Sequence, residues 1–459
     1  MEIKELKWER RLVWDVVSDE EKSRIFEFAD DYKKFLSANK TEREVVETFV
    51  SELKAHGFRD ISEGGDKVFM VNRGKALAAV AFGEKPLSEG VRIIASHIDV
   101  PRIDMKPVPL YEDTGIAMMD THYYGGIKKF HWVARPLAIH GVVVKEDGRV
   151  VKVVFGESPD EPVLTIEDLL PHLARKAQYG KKIEEAIPGE KLNLIVGSIP
   201  LPDKEMKDRV KLAILKLLND KYGIVEEDFI SAEIEIVPAG PARDVGFDSS
   251  MVGGYGHDDR ICAYTSLRAV LDVQNPKWTV IALFFDKEEI GSDGNTGAQS
   301  HFVEYVIAKL FELQGKGDYF KVVDALNHSE AISADVNAAL DPDWKEVHEA
   351  KNAAKLGYGL PVTKYTGRGG KYTANDAHAE FVAKIRRIFN QAGVVWQPAE
   401  IGKVDEGGGG TVAKYLAKFG MDVIDAGPAL LSMHSPFEIA SKADLWMAYK
   451  GYKAFFEAE

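Results

Sequence analysis

Apolar and polar positions along the chain divide it into alternating helical and extended stretches. Residues 1–40 carry Trp8, Leu12, Val13, Ile25, Phe26, Phe28 and Phe35 among charges, a pattern that predicts amphipathic helix. Thr41 followed by Glu44 is a capping-box signature. The helix it opens places Val45, Val46, Phe49, Val50 and Leu53 on one face and ends at Gly57. The runs VFMVN and ALAAVAFG flank Arg73-Gly74 and predict a hairpin. The run VRIIAS predicts a strand that delivers His97.

From 106 to 244 the texture changes. Short strand-like runs (LAIHGVVVKEDGRVVKVVFG) precede two helical stretches, TIEDLLPHLARKAQYG and MKDRVKLAILKLLNDKYG, and the alternating run SAEIEIVPAG. This part reads as a β-rich insertion, leaving 1–105 and 245–459 as one discontinuous domain. After it, helices from about 259 to 273, 297 to 314, 377 to 393 and 410 to 420, and at the C-terminus, alternate with strands WTVIALFF, AISADV and MDVIDAG. Such alternation predicts an α/β domain with a mixed, mostly parallel sheet flanked by helices. Ligands of such sheets sit outside the carboxyl ends of the strands.

Chemistry-bearing residues fall where these strands end. His97-Ile98-Asp99 closes the first. Asp258-Asp259 lies in GGYGHDDR, Glu288-Glu289 closes VIALFFDKEE, Asp335 follows AISA, and His434 ends a run through GPALLSMH. A divalent cation needs anionic or imidazole ligands that converge. Five ligands plus a carboxylate base is the inventory of a two-metal hydrolase. Asp99, two residues past His97, is a candidate to hold its imidazole. Asp259-Arg260 reads as a structural ion pair. Adjacent glutamates after six apolar residues are costly without a compensating cation. One of the two can ligate metal while the other takes a proton from water. Gly407–Gly410 reads either as a flexible turn or as a place of close backbone approach.

Composition narrows the class. A chain of 459 residues is too long for one ordinary core, and 45% apolar residues indicate a globular protein. With 59 basic and 73 acidic residues the net charge is −14, which argues against nucleic-acid or anionic-membrane partners. Cys262 is the only cysteine, so no intramolecular disulfide and no thiolate metal site is expected. It reads as a small buried hydrophobe. The N-terminus lacks a signal-peptide core and no apolar run reaches membrane-spanning length, so the cytoplasm is the expected compartment. G-x-S-x-G, H-E-x-x-H and G-x-G-x-x-G are all absent.

The segments SHIDVPRID, GHDDRICAY, DKEEIGSDGNTGAQS, ISADVNAALDP, KYTGRGGKYTAND, GGGGT and GPALLSMHS, in this order, resemble the aspartyl aminopeptidase and vacuolar aminopeptidase I family of dinuclear zinc metalloaminopeptidases. The resemblance covers most of the chain. It implies that Asp258 bridges two cations, that His97 and Asp335 hold one, and that Glu289 and His434 hold the other. Glu288 would be the general base and acid, and Asp99 would orient His97. The cations would be zinc, with cobalt or manganese also compatible. His172, on the insertion, would reach a neighbouring subunit's site. The insertion would serve dimerisation and assembly into a tetrahedral dodecamer. Lys364, Lys371 and Asp405 are candidates for binding the substrate's first residue, acidic or neutral, on peptides. The chain departs from the family at Asp258-Asp259-Arg260, where Asp-Asn is usual and where glutamyl-type aminopeptidases match, and at Glu406 with its glycines. Hydrolysis of another amide bond by the same two-metal chemistry is the alternative reading.

Overall fold

A computed structural model describes residues 6–459. The part of the first helical stretch that falls on residues 1–5 lies outside the described residues. The rest of that stretch is less helical than its pattern suggests. The helix runs Asp19–Ala38, because Ser18 is in extended conformation and its hydroxyl accepts the Glu21 N–H at 3.1 Å. Among the residues before it, Val13–Asp15 form a 3-10 turn.

The second helix, Glu42–Ala55, carries the expected capping box. Thr41 Oγ1 accepts the Glu44 N–H at 3.2 Å, and Glu44 Oε2 accepts the N–H groups of Thr41 at 3.2 Å and Lys40 at 2.8 Å. Thr41 is 2% exposed. Thr41→Ala is expected to cost about 1–2 kcal/mol, read as a lower denaturation midpoint with kcat nearly unchanged.

By contacts the chain forms two units. The first comprises Met1–Asp99, Ala242–Met433 and Phe437–Glu459. Its main sheet has nine strands, in the order Arg59–Asp60, Lys67–Asn72, Ala76–Ala81, Val280–Phe285, Arg92–His97, Glu330–Ser333, Asp422–Ala426, Leu360–Thr363 and Trp396–Pro398. The hairpin Lys67–Asn72/Ala76–Ala81 turns at Arg73 and Gly74, both with positive φ, as a tight hairpin turn requires. The central strands Val280–Phe285, Arg92–His97, Glu330–Ser333 and Asp422–Ala426 are mutually parallel.

Side chains of the central strands alternate between two cores, following the two-residue period of a strand. Val280, Ala282, Phe284 and Ile94 face one, with the helices Asp19–Ala38, Glu42–Ala55, His257–Asp272, Ala379–Gln391 and Lys442–Glu457. Ile281, Leu283, Phe285, Ile93 and Ala95 face the other, with Phe302–Leu313, Tyr319–Asn327 and Ala413–Ala417. Burial on both faces explains why these strands read as continuous apolar runs. A five-stranded sheet that includes Met251–Gly254 and Glu438–Ser441 completes the unit.

The second unit comprises Val100–Pro241 with His434–Pro436. It starts at 100 and not at 106 because the long strand Arg102–Asp113 belongs wholly to its six-stranded antiparallel sheet. It contains the hairpin Leu137–Val144/Val150–Phe155, the strand Ala232–Pro238 and the helix Arg209–Tyr222, which ends at Gly223 in left-handed conformation. The stretch 165–180 is helical only over Pro171–Ala177. Proline favours the first helical position, and Leu170 before it is held extended (ψ 146°). No helix among the described residues is long and apolar enough to cross a membrane.

Candidate active site

Three parallel strands deliver the first site residues. His97 is the last residue of Arg92–His97. Glu288 and Glu289 open a 3-10 turn three residues beyond Phe285, and Asp335 follows Ser333 by two. Asp258 lies at the start of His257–Asp272, where Asp258 and Asp259 depart from helical dihedrals and share a cis peptide bond.

These side chains meet. His97 Nε2 lies 3.2 Å from Asp258 Oδ1 and 3.9 Å from Glu288 Oε2. His97, Asp258 and Asp335 offer ligand atoms within 4.8 Å of one another, and so do His97, Glu288 and Glu289. Four carboxylates thus surround one imidazole.

Asp99 is fully buried and does more than face the imidazole. Its Oδ1 lies 3.2 Å from His97 Nδ1, and its carbonyl oxygen lies 3.0 Å from the same nitrogen. Its two carboxylate oxygens also accept the N–H groups of Glu288 and Glu289, each at 3.1 Å. One aspartate therefore sets the imidazole and the glutamate turn together. The strand ends at His97, so this contact comes from the turn after the strand, not from strand alternation.

The expected ion pair within Asp259-Arg260 is not formed. The Arg260 guanidinium donates to the carbonyls of Asn39 and Lys40 instead, joining this helix to the capped turn at Thr41. Asp259 Oδ2 accepts the His97 N–H at 3.3 Å. Their side chains sit on a kinked backbone and diverge. Cys262 is buried in the same helix, as expected of a small hydrophobe. Sequence reasoning missed Glu438, which is 1% exposed and accepts the Asp258 N–H at 3.1 Å. A lone acid in the short strand EIAS was the available signal.

Electrostatics show how crowded the site is. Burial opposes charge on His97, yet hydrogen bonds to Asp258 and Asp99 and the charges of Asp99 and Glu288 carry its pKa well above the usual imidazole value. Burial, then the charges of Glu288 and Asp259, push Asp335 well above the usual carboxylate range. Burial does the same to Asp259, with Asp258 adding to it. Each shift moves toward neutralising a surplus of negative charge, which is what divalent cations do without protons. Imidazole nitrogen with several carboxylates is a donor set that suits zinc.

The other candidates are placed as follows. His434 (φ 63°) lies three residues past the strand Ala429–Leu431, and its contacts group it with the second unit, where its Nδ1 is 3.0 Å from the Gly126 carbonyl. His172 is exposed on the helix Pro171–Ala177, beside the exposed Leu169, Leu170 and Leu173. Lys364 and Lys371 both bind Asp376. Asp405 is exposed in a turn with φ 73°. The glycine run is a place of close approach. A Cβ on Gly408 would lie 2.8 Å from the backbone of Gly367 and Arg368, and the Gly409 N–H donates to the Thr366 carbonyl at 3.2 Å.

The profile of the aminopeptidase I zinc metalloprotease (M18) family matches residues 35–456. The chain belongs to this family. It is a metallo-hydrolase that acts on peptide bonds. It is 51% identical over 456 residues to a probable M18 family aminopeptidase 1 of Clostridium acetobutylicum, covering 97% of this chain and 98% of that one. A solved M18-family aminopeptidase from Thermotoga maritima superposes with a TM-score of 0.94 at 51% identity, covering 98% of this chain and 100% of that one. A yeast aminopeptidase 1 solved as a dodecamer superposes with a TM-score of 0.75 at 21% identity, over 94% of this chain and 96% of that one, which shows the shared fold. The mixed α/β class expected from the strand pattern is the class of these structures.

Proposed function

We propose that this M18 aminopeptidase works with two divalent cations and removes acidic or neutral residues from peptide N-termini. His97 and Asp335 would hold one cation, Glu289 and His434 the other, and Asp258 both. The observation that carries this reading is the convergence of His97, Asp258, Glu288, Glu289 and Asp335, with Asp99 tying His97 to the glutamate turn.

Cations of this kind polarise a carbonyl and lower the pKa of water toward ~7. The chain's own groups do the rest. Glu288, the glutamate that faces His97 Nε2, takes the proton of the attacking water and returns it to the leaving amine. Asp99 fixes the imidazole and both glutamate N–H groups, so ligand and base hold one geometry through the cycle. The free amino terminus of the substrate would sit on a cation or on a carboxylate, which would make the enzyme an exopeptidase. A panel of aminoacyl chromogenic substrates, assayed with zinc, cobalt and manganese and against N-acylated controls, tests this reading. Cleavage of the N-acylated compounds at equal rate would favour hydrolysis of another amide bond.

The active form is a homo-oligomer in the cytoplasm, assembled through the second unit in dimers that build a tetrahedral dodecamer. Supporting this, that unit exposes Leu169, Leu170 and Leu173 in the stretch of chain that carries His172, with Tyr179 and Ile183 exposed further along it. Large apolar side chains exposed close together in the chain are what a subunit interface would cover. His172 would stabilise the oxyanion in a neighbour's site. His172→Ala is expected to lower turnover by ~10²–10³-fold, the usual loss for one such donor. Mixing His172→Ala with Glu288→Gln subunits should restore part of the activity, because some sites then hold both groups. No recovery despite proven subunit exchange would exclude the shared site.

A further inference from the structure

The segment 364–376 leaves the sheet after Leu360–Thr363 and folds back on itself, with backbone bridges Tyr365–Asp376 and Arg368–Tyr372. Its base is tied to the candidate site's surroundings. Thr363 Oγ1 accepts from Asn337 Nδ2 at 2.8 Å, and Asn337 lies two residues beyond Asp335. Its tip packs against Gly408 of the glycine run.

Within this segment one carboxylate serves two ammonium groups. Lys364 Nζ donates to Asp376 Oδ1, and Lys371 Nζ donates to Asp376 Oδ2 at 2.9 Å. Lys371 also lies over the Tyr365 ring, 3.9 Å from its centroid, and Tyr365 donates its hydroxyl hydrogen to Glu400. All three charged side chains are less than half exposed, at 45%, 42% and 44%. Hydrogen bonds from Lys364 and then Lys371 lower the pKa of Asp376, so it is ionised at neutral pH. Each carboxylate oxygen is committed to one lysine.

We propose that Asp376 sets the charge preference of the substrate pocket: it occupies the place that the carboxylate of an acidic first residue would take on Lys364 and Lys371, and so favours neutral N-terminal residues. The inference rests on the reading that the two lysines line that pocket. An acidic substrate would have to compete with a carboxylate already attached to the chain. A neutral one meets a lysine pair whose charge is largely compensated. Asp376 is here a specificity-determining residue that acts through the lysines.

The test compares wild type with Asp376→Asn, Lys364→Met and Lys371→Met, each checked for folding by thermal unfolding and for metal content. Each is assayed for kcat and KM on aspartyl, glutamyl, leucyl and lysyl substrates. Asp376→Asn should raise kcat/KM for the acidic substrates relative to leucyl on the order of fivefold, the scale of one partly exposed ion pair, mainly through KM. Adding Lys364→Met or Lys371→Met to it should reverse the gain. If Asp376→Asn leaves the ranking unchanged while a single lysine variant alters it, the lysines line the pocket and the role of Asp376 is overturned. If none of the three alters the ranking, the lysines lie outside the pocket and the inference falls with that reading. Asp376→Ser replaces the asparagine variant should that one fail to fold.

Discussion

Glu288→Gln is expected to lower kcat by ~10²–10⁴-fold, the range of general acid–base catalysis, while bound metal stays at the wild-type level. The substitution keeps size and shape and leaves the backbone N–H that Asp99 Oδ1 holds at 3.1 Å. It removes the negative charge and, with it, the capacity to accept a proton. Glu289→Gln is expected to behave differently, because its carboxylate would be a ligand. Metal content should drop, and activity should return in part when metal is added in excess. The two variants occupy adjacent positions in one turn, so a general folding defect would affect both alike. Parallel kinetics and elemental analysis separate the roles, and an exchange of phenotypes would swap the assignment within the pair.

Removing the cations is expected to abolish hydrolysis. Asp258, Glu288, Glu289 and Asp335 crowd around His97, and both His97 and Asp335 are shifted toward the protonated state. Without cations the charge surplus must be met by protons, and a protonated His97 or Asp335 can no longer serve as a ligand. Prolonged chelation should therefore leave a folded, inactive protein, and zinc, cobalt or manganese should revive it. The activity of the chelated form should not return on raising the pH, because deprotonation recreates the repulsion without supplying an electrophile. A pH series on chelated and reloaded samples, followed by substrate turnover, checks this.

Much of the fold is legible in the residues. Strands buried on both faces read as apolar runs, and the acids and histidine that interrupt them mark their carboxyl ends, as at His97, Glu288 and Asp335. The capped helix after Thr41 and the hairpin at Arg73-Gly74 follow from local chemistry alone. What depends on distant partners is less legible. Asp259 and Arg260 are adjacent and of opposite charge, yet the kink at Asp258 sends one toward the His97 backbone and the other toward Asn39 and Lys40. The double hold of Asp99 on Glu288 and Glu289 joins residues 189 and 190 positions apart. The stretch before Pro171 has helical periodicity, but the restriction that proline places on Leu170 overrides it. Lys364 and Lys371 read as free cations until the fold brings Asp376 between them.

The most direct test of the two-cation account is elemental analysis joined to turnover of an aminoacyl substrate. Wild type, chelated wild type, reloaded wild type and Glu288→Gln are measured on the same preparations. The account predicts two divalent cations per subunit with full activity, none with none, two with activity restored, and two with activity lost. Full activity in a sample shown to be metal-free would contradict it.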